Sequence, residues 1–268
     1  VALPPPLVVC ADDFAASPHT SRVIAALAAQ GRINAISCMT ASPGWQRDAA
    51  LLRDLPSAVE IGLHLTLTEE TPITAMPAFA DRGRMPSADR LTLDAYLARL
   101  PLAEIAEEIA AQFDAFAAAL DRPPAFVDGH HHCHVLPGIR ALAIRATRTR
   151  APDAWVRVCG DKPGAMLRRP FAGKAIGSAL HSLGMRRALR RAGLAANTGF
   201  AGHYDFSGDY APLLAQFLRF PSSRHLVMCH PGAPGGPEDP IGRAREREAQ
   251  VLQGGAFRFA TGLTPIGE

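Results

Sequence analysis

Along this chain, short apolar and β-branched runs alternate seven times with longer Ala-, Leu- and Arg-rich segments of helical period. No other feature restricts the fold as much. The runs are "LVVCADD" (7–13), "NAISCMTA" (34–41), "VEIGLHLTL" (59–67), "AFVDGHHHCH" (125–134), "AWVRVC" (154–159), "NTGFAGHYDF" (197–206) and "HLVMCH" (225–230). Helices are predicted between and after them, over about 19–31, 44–55, 101–120, 137–149, 164–192, 209–219 and 241–253. Such alternation predicts parallel βαβ units, arranged as a doubly wound sheet or a barrel. No break in composition marks a second domain, so residues 1–268 are read as a single domain of a length that barrels reach. Two stretches do not fit the alternation. They are a Pro-, Asp- and Arg-rich loop at about 69–92 and a basic segment at 161–193, and loops of that length tend to be lids or to be mobile.

Side-chain parity separates sheet from barrel. In 59–67, Val59, Ile61, Leu63, Leu65 and Leu67 share one face, while Glu60, Gly62, His64 and Thr66 share the other. A strand inside a doubly wound sheet is apolar on both faces. One apolar and one polar face instead fits a barrel with helices outside and a polar site at its mouth. The five cysteines form no CxxC pair and lie in or beside apolar runs, which predicts buried thiols and a reducing, cytoplasmic setting. The N-terminus has no basic region and its apolar run is broken by prolines, so no signal peptide is expected. No stretch is long and apolar enough to predict a transmembrane segment. The formal charge of +3 does not call for nucleic acid, and no stacking aromatics accompany the basic residues.

The densest chemistry lies in "VDGHHHCHVLPG", residues 127–138. If 125–134 is extended, Asp128, His130, His132 and His134 share one face, and Gly129, His131 and Cys133 the other. Active sites of parallel barrels gather at the C-terminal ends of the strands. Two other strands bring candidates to that rim: the first ends in Asp12–Asp13, and the third carries His64 on its polar face. One carboxylate with two imidazoles from three strands suits a divalent cation with open positions, such as zinc, iron, cobalt or nickel; magnesium is less suited to imidazole. A second carboxylate beside the ligands can take a proton from an attacking water. "HLVMCHPG" places His230 at the end of a late strand, where it could protonate a leaving group.

"VVCADDF", "IGLHLTLT" (61–68), "DGHHHCHVLPG" (128–138) and "LVMCHPG" (226–232) together resemble the YdjC-like (ChbG/HpnK) family of carbohydrate deacetylases. The resemblance implies a distorted (β/α) barrel of about seven parallel strands, related to polysaccharide deacetylases. It implies a metal-dependent hydrolase that removes the N-acetyl group of an amino sugar. By that resemblance Asp13, His64 and His130 are the metal ligands, Asp12 the base and His230 the general acid. The implied cofactor is one divalent cation, zinc or magnesium first, with cobalt, nickel or manganese as alternatives. Asp128, His132 and His134 would then orient ligands or bind substrate, and Arg157 would pair with Asp12. The chain has "DDFAAS" where the family often has DDFG or DDYA, which leaves both carboxylates intact, and the inserted His131 is not counted as a ligand.

Two rival readings stand beside this one. One is another barrel metallohydrolase, acting on phosphoesters or cyclic amides; the other is a non-catalytic metal-binding protein, which would not need Asp12 or His230. The expected partner is an N-acetylated carbohydrate, with a homodimer as the default assembly. Segment 161–193 carries Lys162, Arg168, Arg169, Lys174, Arg186, Arg187, Arg190 and Arg191 against Asp161. It reads as a solvated helix face, or as a surface for peripheral membrane contact with an anionic or lipid-linked glycan.

Overall fold

Each of the apolar runs contains a strand in the computed structural model, which describes residues 7–233 and 239–254. The strands are β1 (Leu7–Phe14), β2 (Ala35–Cys38), β3 (Glu60–Leu65), β4 (Phe126–Gly129), β5 (Trp155–Val156), β6 (Gly199–Ala201) and β7 (His225–Cys229). They form one parallel sheet in the order β5-β4-β3-β2-β1-β7-β6. The sheet curls until its edges meet. Val156 bridges to Ala196, and its N–H donates to the carbonyl of Ala195 at 2.9 Å. The buried side chain of Asn197 completes the seam: its Oδ1 accepts from Val158 N at 2.7 Å, and its Nδ2 donates to the carbonyls of Val158 at 3.0 Å and Gly199 at 2.9 Å. The result is a distorted barrel, and the doubly wound alternative is excluded.

The period-2 alternation divides the core in two. Val9, Ala11, Ile36, Ile61, Leu63, Val127 and Val227 point outward and pack with Ile24, Leu27, Ile105, Ile109, Phe116 and Ile139 of the surrounding helices. Val8, Cys10, Ala35, Phe126, Trp155, Phe200, Leu226 and Met228 point inward as a separate apolar cluster. Phe126 and Trp155 stack with ring centroids 4.6 Å apart. Gly62 makes room for them, since a Cβ there would come within 2.5 Å of the Phe126 ring. One pleat further toward the C-terminal ends, the inward positions change character: Asp12, Ser37, His64, Asp128, Arg157 and His230 are all buried there. The barrel is thus plugged with hydrocarbon at one end and charged at the other, which is why β3 reads as apolar on one face and polar on the other.

Three expectations change. The run 125–134 is not one extended strand. β4 stops at Gly129, and His130–Val135 form a tight helical turn in which His131 (φ 50°) and His132 (φ 58°) are left-handed. Gly129 permits the turn, because a Cβ on it would lie 2.8 Å from Cys133 Sγ. The loop 69–92 is not free. Buried Glu108 accepts from the N–H groups of Ile73 (3.2 Å) and Thr74 (2.8 Å), Glu104 accepts from Ala78 and Phe79, and the segment runs into a helix over Ala88–Tyr96. The basic segment forms three helices, Pro163–Leu167, Ala172–His181 and Met185–Ala192. All five cysteines are buried and unpaired. No helix among the described residues is long and apolar enough to cross a membrane.

Replacing Asn197 with Ala leaves backbone groups of Val158 and Gly199 without partners. A loss of about 2–4 kcal/mol of unfolding free energy is expected in denaturant titration. A loss under about 0.5 kcal/mol would mean that the seam does not depend on this side chain.

Candidate active site

The rim of the barrel is assembled from the ends of β1, β3, β4 and β7. Asp13 adopts a left-handed conformation (φ 64°), which aspartate tolerates better than most residues. Asp12 and Asp13 consequently serve different neighbours. Asp13 Oδ1 lies 3.1 Å from His130 Nδ1 and 3.4 Å from His64 Nε2, and its Oδ2 accepts from Arg245 Nη2 at 2.8 Å. Burial works against the charge of Asp13, but Arg245 and His130 overcome it and hold the carboxyl well below the usual range. One donor atom from each of Asp13, His64 and His130 lies within 4.8 Å of the other two.

His64 is oriented from behind. Its Nδ1 lies 2.6 Å from Asp128 Oδ1, which leaves Nε2 directed at Asp13. Asp128 also accepts from the Ser37 hydroxyl and forms a 2.5 Å ion pair with Arg157 Nη2. A carboxylate behind an imidazole, fixing its tautomer, is the usual support of a metal-binding histidine. Without a cation the same surroundings favour a proton: burial opposes the charge, yet Asp128 and Asp13 raise the His64 pKa to about 10. Asp128 is itself held at about 2, because Arg157 and His64 outweigh its burial. A cation at this position would replace the proton on Nε2. The donor set and its supports therefore fit a divalent ion.

Asp12 accepts from Arg157 through both oxygens, Nη1 to Oδ2 and Nη2 to Oδ1, each at 2.6 Å. The pair expected from sequence is formed, and it is completely buried on the arginine side. His230 follows β7 and opens onto the same cleft, with the Phe206 ring 5.3 Å from its own. Its Nδ1 is buried with no hydrogen-bond partner among the described residues. Burial lowers its pKa, with Asp13 and Asp12 opposing. The cleft holds about 890 Å³ and is lined by Asp12, Asp13, His64, His130, His203 and His230, among others.

The structure brings together Asp12, Asp13, His64, Asp128, His130, Arg157 and His230 but separates the other two histidines. His134 turns beneath the rim, where its Nε2 lies 3.0 Å from the carbonyl oxygen of Arg157. His132 faces the cleft beside His203 instead of the Asp13 cluster. His131 lies at the exposed edge, its Nδ1 3.0 Å from Thr68 Oγ1.

Residues 6–260 match the family described as YdjC-like protein. The chain belongs to that family. Among its relatives are the chitooligosaccharide deacetylases of Yersinia pestis (strain Pestoides F) and Yersinia pseudotuberculosis serotype O:1b (strain IP 31758). Each is 34% identical over 146 residues, which is 54% of this chain and 56% of theirs. The chain thus aligns with about half the length of these curated relatives. A crystal structure from Enterococcus faecalis V583, of a protein provisionally assigned to cellobiose-phosphate cleavage, superimposes with a TM-score of 0.68 at 19% identity. That superposition covers 92% of this chain and 89% of the other, and shows that the two share the fold.

Several site residues in this family member carry no signal in the sequence. Arg245 and Glu248 lie one helical turn apart on the helix Gly242–Gln253, inside "GRAREREAQ", where surrounding charges disguise two buried ones. Glu248 accepts from the backbone N–H of His230 at 2.5 Å and from the Tyr204 hydroxyl. Ser37 could have been found, because it occupies the inward parity of β2. Burial raises the Glu248 pKa from 4.5 to about 7, despite the hydrogen bonds from Tyr204 and His230 that favour its anion. A raised carboxyl pKa stabilises the fold fully below pH 4.5 and loses that contribution as pH rises through about 7. Relative to Glu248→Gln, the wild-type protein is therefore expected to lose about 3 kcal/mol across that window. Thermal unfolding of both proteins as a function of pH measures this, and a gap that moves in favour of wild type as pH rises would contradict it.

Proposed function

We propose that the protein is a metal-dependent hydrolase that removes the N-acetyl group from an amino sugar, in an oligosaccharide or glycolipid. The observation that carries this reading is the pairing of a three-donor cluster with two further proton-transfer groups, Asp12 and His230, on the same cleft. The naming of relatives as chitooligosaccharide deacetylases supports the substrate class. A storage or sensing protein would have no use for Asp12 or His230. A phosphoesterase would ordinarily call for a second metal and a richer set of free carboxylates. Here the second buried acidic set, Cys10, Asp12 and Asp128, is occupied by the Arg157 guanidinium.

Asp13, His64 and His130 would hold the cation, and two imidazoles with one carboxylate suit zinc, cobalt or nickel better than magnesium. Such an ion supplies Lewis acidity toward the acetyl carbonyl and lowers the pKa of water. In this reading Asp12 takes the proton from the attacking water, while Arg157 fixes the orientation of its carboxylate. His230, once it has taken up a proton, delivers it to the departing amine, and burial favours the neutral imidazole left behind. Glu248 holds the His230 backbone in place. The products are acetate and a free amino sugar.

The basic helices support a second substrate reading, a lipid-linked glycan at a membrane surface. Leu167, Leu180 and Leu183 are exposed there beside exposed Arg187, Arg190 and Arg191. Arg169 and Arg186 do not contribute, because they are committed to backbone carbonyls and, for Arg169, to Asp161. We also propose a cytoplasmic setting, which the five buried, unpaired thiols support.

Acetate release from N-acetylated oligosaccharides, by protein stripped of metal and resupplied with single divalent cations, tests the function. Asp12→Asn is expected to lose about 10²–10⁴-fold in turnover while keeping its metal. His64→Ala is expected to lose both, and a folded His64→Ala protein with full metal content would refute the ligand assignment. Asp128→Asn should weaken metal affinity about 10–100-fold, measured by competition with a chromophoric chelator, since His64 loses the carboxylate that orients it.

A further inference from the structure

His132 and His203 are not used by the chemistry above, although both line its cleft. His132 sits in the left-handed turn after β4 (φ 58°), and His203 follows Gly202 where the chain leaves β6. Gly202 has φ +119°, and a Cβ on it would come within 2.3 Å of the Met228 carbonyl oxygen. The path into His203 is therefore set by backbone packing against β7. The two imidazoles meet edge to face at 5.5 Å, and Phe200 contacts His203 at 5.0 Å and His132 at 5.7 Å. Behind them, the Arg157 guanidinium lies 5.7 Å over the Phe200 ring.

The hydrogen-bond accounting of this group does not close. His132 Nδ1 and both ring nitrogens of His203 are shielded from solvent and have no partner among the described residues. Buried polar groups left unpaired cost about 1–3 kcal/mol each, so three together on a cleft wall mark a place where a ligand supplies the partners. Burial, with Arg157 adding to it, pushes His203 down to about 4, so its ring is neutral near pH 7 and offers one donor and one acceptor. An anion would use only the donor. A cation would use only the acceptor and would be repelled by Arg157. A hydroxyl group, donor and acceptor at once, uses both, and buried Phe200 holds the two imidazoles in place from behind.

We infer that His132 and His203, backed by Phe200, form a subsite that reads a ring hydroxyl of the amino sugar. The 3-hydroxyl is the one to test, because it neighbours the acetamido group and His130, His132 and His203 line one cleft. The inference rests on the amide-hydrolysis reading for its substrate and adds to it the feature that selects a sugar over a simple acetamide.

The test compares N,N′-diacetylchitobiose with its analogue lacking the 3-hydroxyl on the reacting ring, using metal-loaded wild type, His203→Phe and His203→Asn. Acetate release gives kcat/KM, and calorimetry gives the affinity of each sugar whether or not it is turned over. Wild type is expected to prefer the parent sugar by about 10²-fold or more, as sites built to bind a hydroxyl do. His203→Phe should lose that preference with its metal content unchanged, and His203→Asn, which keeps a donor and an acceptor, should retain part of it. If His203→Phe does not fold, the His203→Asn measurement alone decides. Full wild-type discrimination in a folded variant would overturn the subsite, as would a wild-type protein that binds both sugars equally. Absence of acetate release with the binding preference intact would instead overturn the hydrolysis reading and leave the subsite standing.

Discussion

Arg157 is the interaction on which the rest of this site depends. Its guanidinium, fully buried just beyond the fifth strand, joins Asp12 through two hydrogen bonds of 2.6 Å and Asp128 through an ion pair at 2.5 Å. Removing these charges from water is expensive, and the bidentate pairing with Asp12 together with the opposite charge of Asp128 offsets that cost. Each acid then acts on something else. Asp128 orients His64, whose free nitrogen faces Asp13, and Asp12 is held at the floor of the cleft. An arginine cannot give up its charge, so the two carboxylates have a permanent counter-charge whatever occupies the rim.

A second support comes from outside the barrel. The helix Gly242–Gln253 crosses the end of β1 and β7 and sends Arg245 to Asp13 and Glu248 to the backbone of His230. Two residues of one helical face thereby fix a proposed metal ligand and the proposed acid. Tyr204 closes the same network through Glu248, next in sequence to His203. The segment that carries the proposed sugar contact and the helix that supports the proposed chemistry are thus joined through one hydrogen bond.

The alternation of strands and helices, and the parity of 59–67, were legible because they follow from the periods of the two backbone conformations. The separation of Ile61 and Leu63 from Gly62 and His64 is that parity made physical, as is the apolar plug around Phe126 and Trp155. The same reasoning failed at 125–134, where an extended strand would have put His130, His132 and His134 on one side. Gly129 ends the strand, left-handed residues at 131 and 132 reverse the chain, and the three imidazoles go to three different environments. Nothing in the spacing of histidines reveals a turn whose stability comes from packing against Cys133 and His134.

The sequence by itself determined the barrel class, the strand ends that carry the chemistry, and the identities of Asp12, Asp13, His64 and His230 as rim groups. Those follow from local periodicity and from where apolar runs stop. Tertiary structure alone decided that His132 and His134 turn away from Asp13, that Arg157 serves two acids at once, that Arg245 and His203 line the cleft, and that Glu248 supports it. These depend on contacts between separate elements, some between residues more than a hundred positions apart, such as Arg157 with Asp12 or Arg245 with Asp13. A charged residue in a helix looks the same in sequence whether it faces water or a buried carboxylate; only the closing of the barrel settles which.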